Sequence, residues 1–455
     1  MVIAFVYFAI MLYMIFPVAA FAFCVIAFGA LLIFRKNTFL ERLLVTLILS
    51  MPLYSLNILG AGFPHVLSWT TLLLIVLVVY AAFHLKTVSR AMVVVSVVLL
   101  ALTCITSFYF SGVGVSQFYY FGLQLLFILP ITLAFITKEQ LAPKLTRVGS
   151  ERLISIANQT IVATALAVLS QYGLYELMGI SMGNISLFGG GRTVFDLTVD
   201  AFSVLSMFLG MGVVLNVLLF QKTLRVSYVF GALACLIGII VNTSRTGLFA
   251  AIIVSLWLIA FPPARSGRKR RPFLLLGLVP IAAGGLYVIS LLGFRRTLTN
   301  IFAGNGRLET YTNALTTSTK SWQNFLFGIG YGQDRANYHH VAPHNVVLET
   351  LLSSGVIVLV LVSILAILLL RFFKDSDALF PVVVLLLSAM AFSGFYAVTF
   401  VPAIVATFIL TTTVASKSGG TKPQFSGSTA TWLTGLALQP VSFGRLGQRG
   451  TGASR

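Results

Sequence analysis

Residues 346–372 read VVLETLLSSGVIVLVLVSILAILLLRF, an apolar run in which Glu349 and Arg371 carry the charges. A helix of about 20 apolar residues crosses the hydrocarbon of a bilayer, and it satisfies its own backbone hydrogen bonds there. The whole chain has the same character: 58% of its residues are apolar and 9% are charged. A soluble domain carries about 25% charged residues to hydrate its surface. The sequence therefore predicts an all-α, polytopic membrane helical bundle.

The apolar runs predict about 12–14 transmembrane helices, which make residues 1–415 one transmembrane domain. Residues 3–34, with Pro17 near the middle, fit either one tilted helix or a tight hairpin. The other predicted spans are 43–60, 67–84, 91–110, 118–137, 153–178, 200–220, 226–242, 246–261, 273–292, 346–372, 379–395 and 398–415.

Every second connection between these spans is rich in lysine and arginine, which predicts that these connections are cytoplasmic. The net charge of +19 largely reflects this pattern and does not indicate nucleic-acid binding. Residues 416–455 are rich in Ser, Gly, Thr and basic residues, so we expect a disordered cytoplasmic tail. The long loops near 179–199 and 293–345 then face the periplasm. Long loops of this kind are typically functional.

Five arginines lie on the side of the membrane that the charge rule disfavours, and two of them, Arg295 and Arg296, fit a snorkelling helix end. Arg192 follows three glycines, Arg245 lies in what we expect to be a tight turn between two spans, and Arg307 lies in the second long loop. A guanidinium binds phosphate bidentately, and the glycines beside Arg192 would let backbone N–H groups approach the same anion. The pattern predicts a pyrophosphate site. The alternatives are a solvated loop charge for Arg192 and a snorkelling side chain for Arg245.

A second cluster of polar residues starts the predicted span 346–372. We expect Pro343 in the first helical turn, which places His344 at a helix N-terminus and keeps its imidazole neutral. Such a histidine is a candidate general base for an alcohol. Asn345 and Glu349 are four residues apart and would share one helix face as candidate glycan contacts. A capping or interfacial histidine is the alternative, and Pro343 argues against a metal site with His340.

The segment Trp322–Gly332 reads WQNFLFGIGYG, and its glycines predict an irregular turn with close backbone approach. Trp322 and Tyr331 are candidates to line a sugar path. Asp196 is a candidate to neutralise an arginine or contact the substrate, with a solvated or capping role as the alternative.

These motifs together resemble the O-antigen ligase and O-antigen polymerase superfamily of bacterial membrane glycosyltransferases. The resemblance covers about residues 185–360. It rests on Ser244-Arg245-Thr246-Gly247 before an apolar span, on Arg307 followed by the glycine-rich segment, and on His344-Asn345-x-x-Leu348-Glu349 with Gly355 further on.

The resemblance implies a glycosyltransferase C-like fold in the bacterial inner membrane, with a periplasmic active site that needs neither a metal nor a cofactor. Its donor would be an undecaprenyl-pyrophosphate-linked oligosaccharide. Arg192, Arg245 and Arg307 would hold the pyrophosphate and His344 would activate the acceptor hydroxyl. We favour a polymerase, which extends another lipid-linked glycan, over a ligase, which transfers the glycan to lipid A–core. Membrane lipid and a chain-length regulator are the other expected partners. A polysaccharide or lipid flippase is the rival class.

Overall fold

The computed structural model describes residues 1–33, 37–53, 68–85, 98, 115–188, 192–197, 202–242, 245–261, 307–330, 345–390 and 398–417. The predicted span 273–292, nearly all of 91–110 and the tail beyond 417 lie outside these residues. The described α-helices are α1 (Val2–Ile15), α2 (Pro17–Ile33), α3 (Phe39–Ser50), α4 (Trp69–Ala82), α5 (Val115–Ile136), α6 (Lys138–Leu141), α7 (Arg147–Met178), α8 (Phe202–Thr223), α9 (Val226–Val241), α10 (Arg245–Ala260), α11 (Arg307–Thr319), α12 (Trp322–Phe327), α13 (Val346–Phe373), α14 (Leu379–Ala389) and α15 (Phe400–Lys417). One hairpin, β1 (Asn184–Phe188) and β2 (Arg192–Leu197), joins α7 to α8.

The helical elements agree closely with the predicted spans and confirm an all-α membrane bundle. Among the described residues, three helices are long and apolar enough to cross a membrane: Val148–Met178, Ser203–Thr223 and Val346–Phe373. Two further helical pieces, Gly122–Ile136 and Lys138–Lys144, pass the same test together but are bent by 63°. Shorter apolar helices account for most of the remaining predicted spans in the described regions. The total number of spans stays a prediction.

The first predicted span, left open as one helix or a hairpin, consists of two helices. The break falls between Ile15 and Pro17, where proline cannot donate an N–H group to continue the helix. The ring centroid of Phe23 lies 5.4 Å from that of Phe5 and 5.4 Å from that of Phe8. Residues this far apart in sequence meet because α2 folds back along α1.

The centre of the bundle is formed by α7, α8, α9 and α10, which pack against one another along the chain order. Small residues let the backbones approach: a Cβ atom added to Gly212 would lie 2.4 Å from Ile161 Cγ2, and one added to Gly231 would lie 2.5 Å from Asn216 Oδ1. The Asn158 side chain also donates a 3.0 Å hydrogen bond to Asn216 across α7 and α8. Small residues and buried hydrogen bonds of this kind are typical of helix packing in membranes.

Contacts between helix ends give the bundle two distinct ends. Lys222 at the end of α8 forms an ion pair with Asp377, which lies between α13 and α14. Near the end of α10, the ring of Trp257 lies 5.8 Å from that of Phe380 at the start of α14. The ends of α8, α10 and α13 therefore share one end of the bundle. The starts of α8 and α10 lie at the other end, which we call the site end.

The first predicted long loop, 179–199, contains the β1–β2 hairpin, which the sequence did not predict. Gly179 ends α7 in the left-handed conformation, with φ +66°, and its N–H donates to the Tyr175 carbonyl. Phe195 of β2 is buried and makes edge-on contacts with the rings of Tyr172 and Tyr175. The hairpin is therefore packed onto the end of α7 and is not a free loop.

Candidate functional site

Arg192 is the first residue of β2, where it pairs in register with Phe188 across the hairpin. The three glycines of the turn lie outside the described residues, so their proposed approach to a phosphate stays a prediction. Asp196 is the extra residue of a β-bulge, because Phe195 pairs with Ile185 whereas Leu197 pairs with Asn184. Bulges of this kind are frequent beside functional sites.

The end of β2 is fixed to α7 by a buried glutamine. The backbone N–H of Leu197 donates to Gln171 Oε1 at 3.1 Å, and Gln171 Nε2 donates to the Met182 carbonyl at 2.6 Å. Leu197 itself is buried and adopts a positive φ of 55°. This arrangement holds the strand that begins with Arg192 at a defined place against α7 and α8.

Arg245 is the first residue of α10, so residues 245–247 of the predicted tight turn 243–247 are helical instead. Gly247 serves a different purpose from a turn glycine: a Cβ atom there would lie 2.0 Å from the Ser206 carbonyl oxygen. Its N–H also donates to Ser206 Oγ at 3.2 Å. Gly210, one turn further along α8, would place a Cβ atom 2.9 Å from the Gly247 carbonyl oxygen. The glycine of the Ser-Arg-Thr-Gly motif thus allows α8 and α10 to cross closely, and this crossing fixes the position of the Arg245 backbone.

These contacts bring the backbones of Arg192 and Arg245 to the same end of the bundle. β2 packs against α7 and α8, and Ser206 near the start of α8 contacts Gly247, two residues from Arg245. The structure therefore gathers the two arginine positions at the site end, although they are about fifty residues apart in sequence.

The helix that follows His344 in the sequence begins at Val346, where the predicted span begins, and not at Pro343. Asn345 is the N-cap of α13, with φ −160° and ψ 119°, and its Oδ1 accepts from the N–H groups of Val347 at 2.9 Å and Leu348 at 3.3 Å. Asparagine is among the preferred N-cap residues because its side-chain oxygen satisfies donors that have no partner within the helix. The expectation that Pro343 lies in the first helical turn is therefore wrong. Glu349 is half-buried in that first turn.

The predicted span 346–372 is broken at Gly355. This residue has φ +76° and ψ 177°, a conformation that is essentially restricted to glycine. The break leaves carbonyl groups at the end of the first segment, Val346–Ser354, without partners in a regular helix. The Leu352 carbonyl accepts from the Ile329 N–H at 2.8 Å, and the Ser353 carbonyl accepts from the Gly330 N–H at 3.0 Å.

The glycine-rich segment therefore inserts its backbone into the break of α13. Gly328 ends α12 with φ 76° and ψ −175°, and a Cβ atom there would lie 2.4 Å from the backbone carbon of Ser353. The sequence correctly predicted close backbone approach at these glycines. It did not identify the partner, because a single helix was expected over residues 346–372.

Within the long loop, the described residues that precede the glycine-rich turn form two helices that pack on α13. Arg307 begins α11, which buries Ala314, Thr317 and Ser318. Trp322 begins α12 and is 67% exposed, so its indole is available to a partner. We refer to α11, α12 and the first segment of α13 together as the helical cap.

Several predicted site residues lie outside the described residues. They include His344 and Tyr331, and for Arg192, Arg245, Arg307 and Asp196 the structure describes the backbone but not the side chain. Within the described ranges, no three or more His, Cys, Asp or Glu residues converge as a metal site. A small cavity among the described residues is lined by Met51, Pro52, Thr164, Val204, Leu205, Phe208 and Phe400 and holds none of the predicted site residues.

Residues 230–363 match the family model for O-antigen ligase. The O-antigen ligase match confirms the predicted resemblance. It begins within α9, includes Arg245, Arg307, Trp322, Tyr331, His344, Asn345 and Glu349, and ends after the break at Gly355. Arg192 and Asp196 precede the matched segment. A comparison with curated proteins found no match.

Proposed function

We propose that the protein is a membrane glycosyltransferase that transfers a glycan from a lipid pyrophosphate to a sugar hydroxyl at the periplasmic face. The observation that carries this proposal is the O-antigen ligase match over the segment from α9 to α13, which contains Arg245 and His344. The common location of the Arg192 and Arg245 backbones at the site end supports it.

The arginines are proposed to hold the pyrophosphate of the donor. Arg245 lies at the N-terminus of a helix of 16 residues, where the partial positive charge of the helix adds to that of the guanidinium. Arg192 adds a second cation from β2, and Arg307 adds a third from α11. Two or three guanidinium groups match the charge of a departing pyrophosphate and stabilise it more strongly as its negative charge grows.

His344 is proposed as the general base. In the sequence it directly precedes Asn345, the N-cap of α13. The acceptor hydroxyl oxygen attacks the anomeric carbon while its proton passes to the neutral imidazole. The bond between that carbon and the phosphate oxygen breaks, and the lipid pyrophosphate leaves with the bonding electron pair. Charge and atoms balance without a metal or a cofactor.

We propose a polymerase as the finer assignment, with the segment Arg192-Thr-Val-Phe-Asp-Leu-Thr-Val-Asp200 as its basis. The ligase differs from it in the acceptor alone: lipid A–core in place of a second lipid-linked glycan. The O-antigen ligase description of the matched family favours this second candidate. A flippase would bind the same donor but would leave its glycosidic bond intact.

Gel analysis of surface polysaccharide from a deletion strain separates these candidates. A core carrying a single repeat unit indicates a polymerase. Loss of all core-attached polymer, with long lipid-linked chains retained, indicates a ligase. Complementation with His344→Ala should give the deletion phenotype at normal membrane abundance, while the matched control His340→Ala should restore the polymer. Normal polysaccharide with His344→Ala would contradict the base assignment.

Purified protein with a lipid-linked donor tests for the enzyme itself. Release of lipid pyrophosphate together with a longer glycan is expected. Movement of intact donor across a vesicle membrane, with no glycan transfer, would instead indicate a flippase.

A further inference from the structure

The break at Gly355 separates two segments of α13 that differ in polarity. The first segment, Val346–Ser354, contains Glu349, Thr350 and two serines. The second, from Val356 to Phe373, has no charge before Arg371. Its 18 residues rise about 27 Å, which is close to the thickness of the hydrocarbon layer. The second segment can therefore cross the membrane by itself.

One face of this second segment is exposed in the described structure. Val360 is 51% exposed, Ile364 38% and Ile367 52%. Residues at spacings of four and three form one stripe along a helix. A stripe of exposed aliphatic residues on a membrane helix is typical of a lipid-facing surface. A span that runs from Phe373 back to Val356 then puts the hydrocarbon boundary near Gly355.

The length of α10 corresponds to a hydrocarbon layer of similar thickness. α10 ends beside the start of α14 and has 16 residues, so it rises about 24 Å before it reaches Arg245. The charged residues Arg245 and Lys222 bracket a layer of similar thickness. The helical cap therefore begins where the hydrocarbon ends.

α12 lies directly at this boundary. A Cβ atom at Gly355 would lie 2.4 Å from the backbone nitrogen of Phe327, the last residue of α12. α12 has six residues and is about 9 Å long, so all of it lies within roughly 10 Å of the level of Gly355. This depth corresponds to the headgroup region of the membrane.

α12 exposes aromatic side chains at this depth. Trp322 is 67% exposed and Phe325, one turn further along the same helix, is 41% exposed. Leu315 of the neighbouring helix α11 is 46% exposed, and Lys320 between the two helices is also exposed. Tryptophan and phenylalanine beside a lysine are the residues that favour the membrane interface, where rings enter the acyl boundary and cations meet phosphate.

We propose that Trp322 and Phe325 insert into the lipid headgroup–acyl boundary and seat the helical cap on the membrane surface. The partner is phospholipid. This assignment goes beyond the proposed glycosyl transfer and is an alternative to the sugar path that the sequence suggested for Trp322. α12 meets α13 at Gly355, where the segment with the lipid-facing stripe begins, and this is the reason for choosing lipid over a soluble partner.

Fluorescence quenching tests this seating independently of any enzymatic activity. The chain contains four tryptophans. A variant with Trp69→Phe, Trp257→Phe and Trp432→Phe keeps Trp322 as its one fluorophore and is reconstituted into phosphatidylcholine vesicles. Lipid brominated close to the headgroup should reduce its emission roughly twofold, with a smaller effect of lipid brominated at the chain terminus and weak quenching by aqueous acrylamide.

The control is a second variant that keeps Trp257 instead of Trp322. Trp257 is an exposed residue on a span, so it shows whether brominated lipid reaches such a residue. Strong acrylamide quenching of Trp322 without quenching by brominated lipid would overturn the proposal. If a lipid-linked oligosaccharide protected Trp322 from acrylamide, Trp322 would contact the glycan, and the proposed contact with lipid would be overturned.

A labelled cysteine provides a second measurement if the triple substitution prevents folding. Trp322→Cys carrying an environment-sensitive fluorophore should shift its emission to shorter wavelength on reconstitution, relative to the same label at the exposed Lys374→Cys. Equal emission at the two positions would contradict the proposed contact with lipid.

Discussion

Gly355 and Leu326 lie so close together that neither segment can be placed without the other. A Cβ atom at Gly355 would lie 2.2 Å from the Leu326 carbonyl oxygen, well inside any normal contact distance. The break in α13 thus exists at the point where α12 ends, and the backbone of the glycine-rich segment satisfies the carbonyls that the break exposes. Irregular backbone at the membrane boundary is tolerated when protein groups satisfy it in this way.

Gly355→Ala should therefore separate the helical cap from the span. Alanine is strained by about 1–3 kcal/mol at this φ and ψ, and its methyl group must also displace α12. We expect a lower unfolding temperature in detergent and loss of polymer in complemented cells. The matched control is Gly173→Ala in α7, since a Cβ atom there meets nothing within 4 Å. Wild-type behaviour of Gly355→Ala would show that the two segments are not coupled.

The contact between Ser206 and Gly247 predicts a graded response at the start of α10. Gly247→Ala should be severely destabilising, because the methyl group would meet backbone 2.0 Å away and force α8 and α10 apart. Ser206→Ala should cost about 1–3 kcal/mol, since it removes the hydrogen bond from the Gly247 N–H and the one to the Ser203 carbonyl but keeps the close crossing. Thermal unfolding of the purified variants measures both effects, and Gly29→Ala, with open space around it, is the control. Equal stability of all three variants would contradict the proposed crossing.

Arg245→Lys tests the proposed grip on the pyrophosphate. Lysine keeps the charge but cannot donate two parallel hydrogen bonds, so we expect turnover of a purified lipid-linked donor to fall by roughly tenfold or more. Arg371→Lys is the control. Arg371 lies near the end of α13, at the opposite end of the bundle from Arg245, so this variant should leave turnover unchanged. Unchanged turnover with Arg245→Lys would leave the snorkelling interpretation of this residue in place.

The sequence predicted the helices well because each apolar run has the length that a membrane demands. The departures have local physical causes. A glycine looks the same in sequence whether it serves a turn, as expected at Gly247, or a helix crossing. The break at Gly355 depends on hydrogen bonds from a segment about 25 residues earlier. Hydrophobic periodicity does not indicate such a contact between distant segments. The β1–β2 hairpin was missed because its strands are short and its burial comes from Tyr172 and Tyr175 on α7.

Asn345 allows a capping role to be distinguished from a glycan contact. Its Oδ1 accepts two backbone hydrogen bonds at the start of α13, so Asn345→Ala should cost about 1 kcal/mol of stability and should disorder the turn that follows His344. Asn345→Asp keeps an oxygen acceptor and adds a negative charge that the helix N-terminus favours, so it should restore stability. If Asn345 acts through the cap alone, Asp should also restore kcat and KM. A variant that is as stable as the wild type but has a raised KM for the acceptor would show that the amide nitrogen contacts the glycan. Thermal unfolding and steady-state kinetics on the same preparations decide between the two roles, with Asn313→Asp on the exposed face of α11 as the control for added charge.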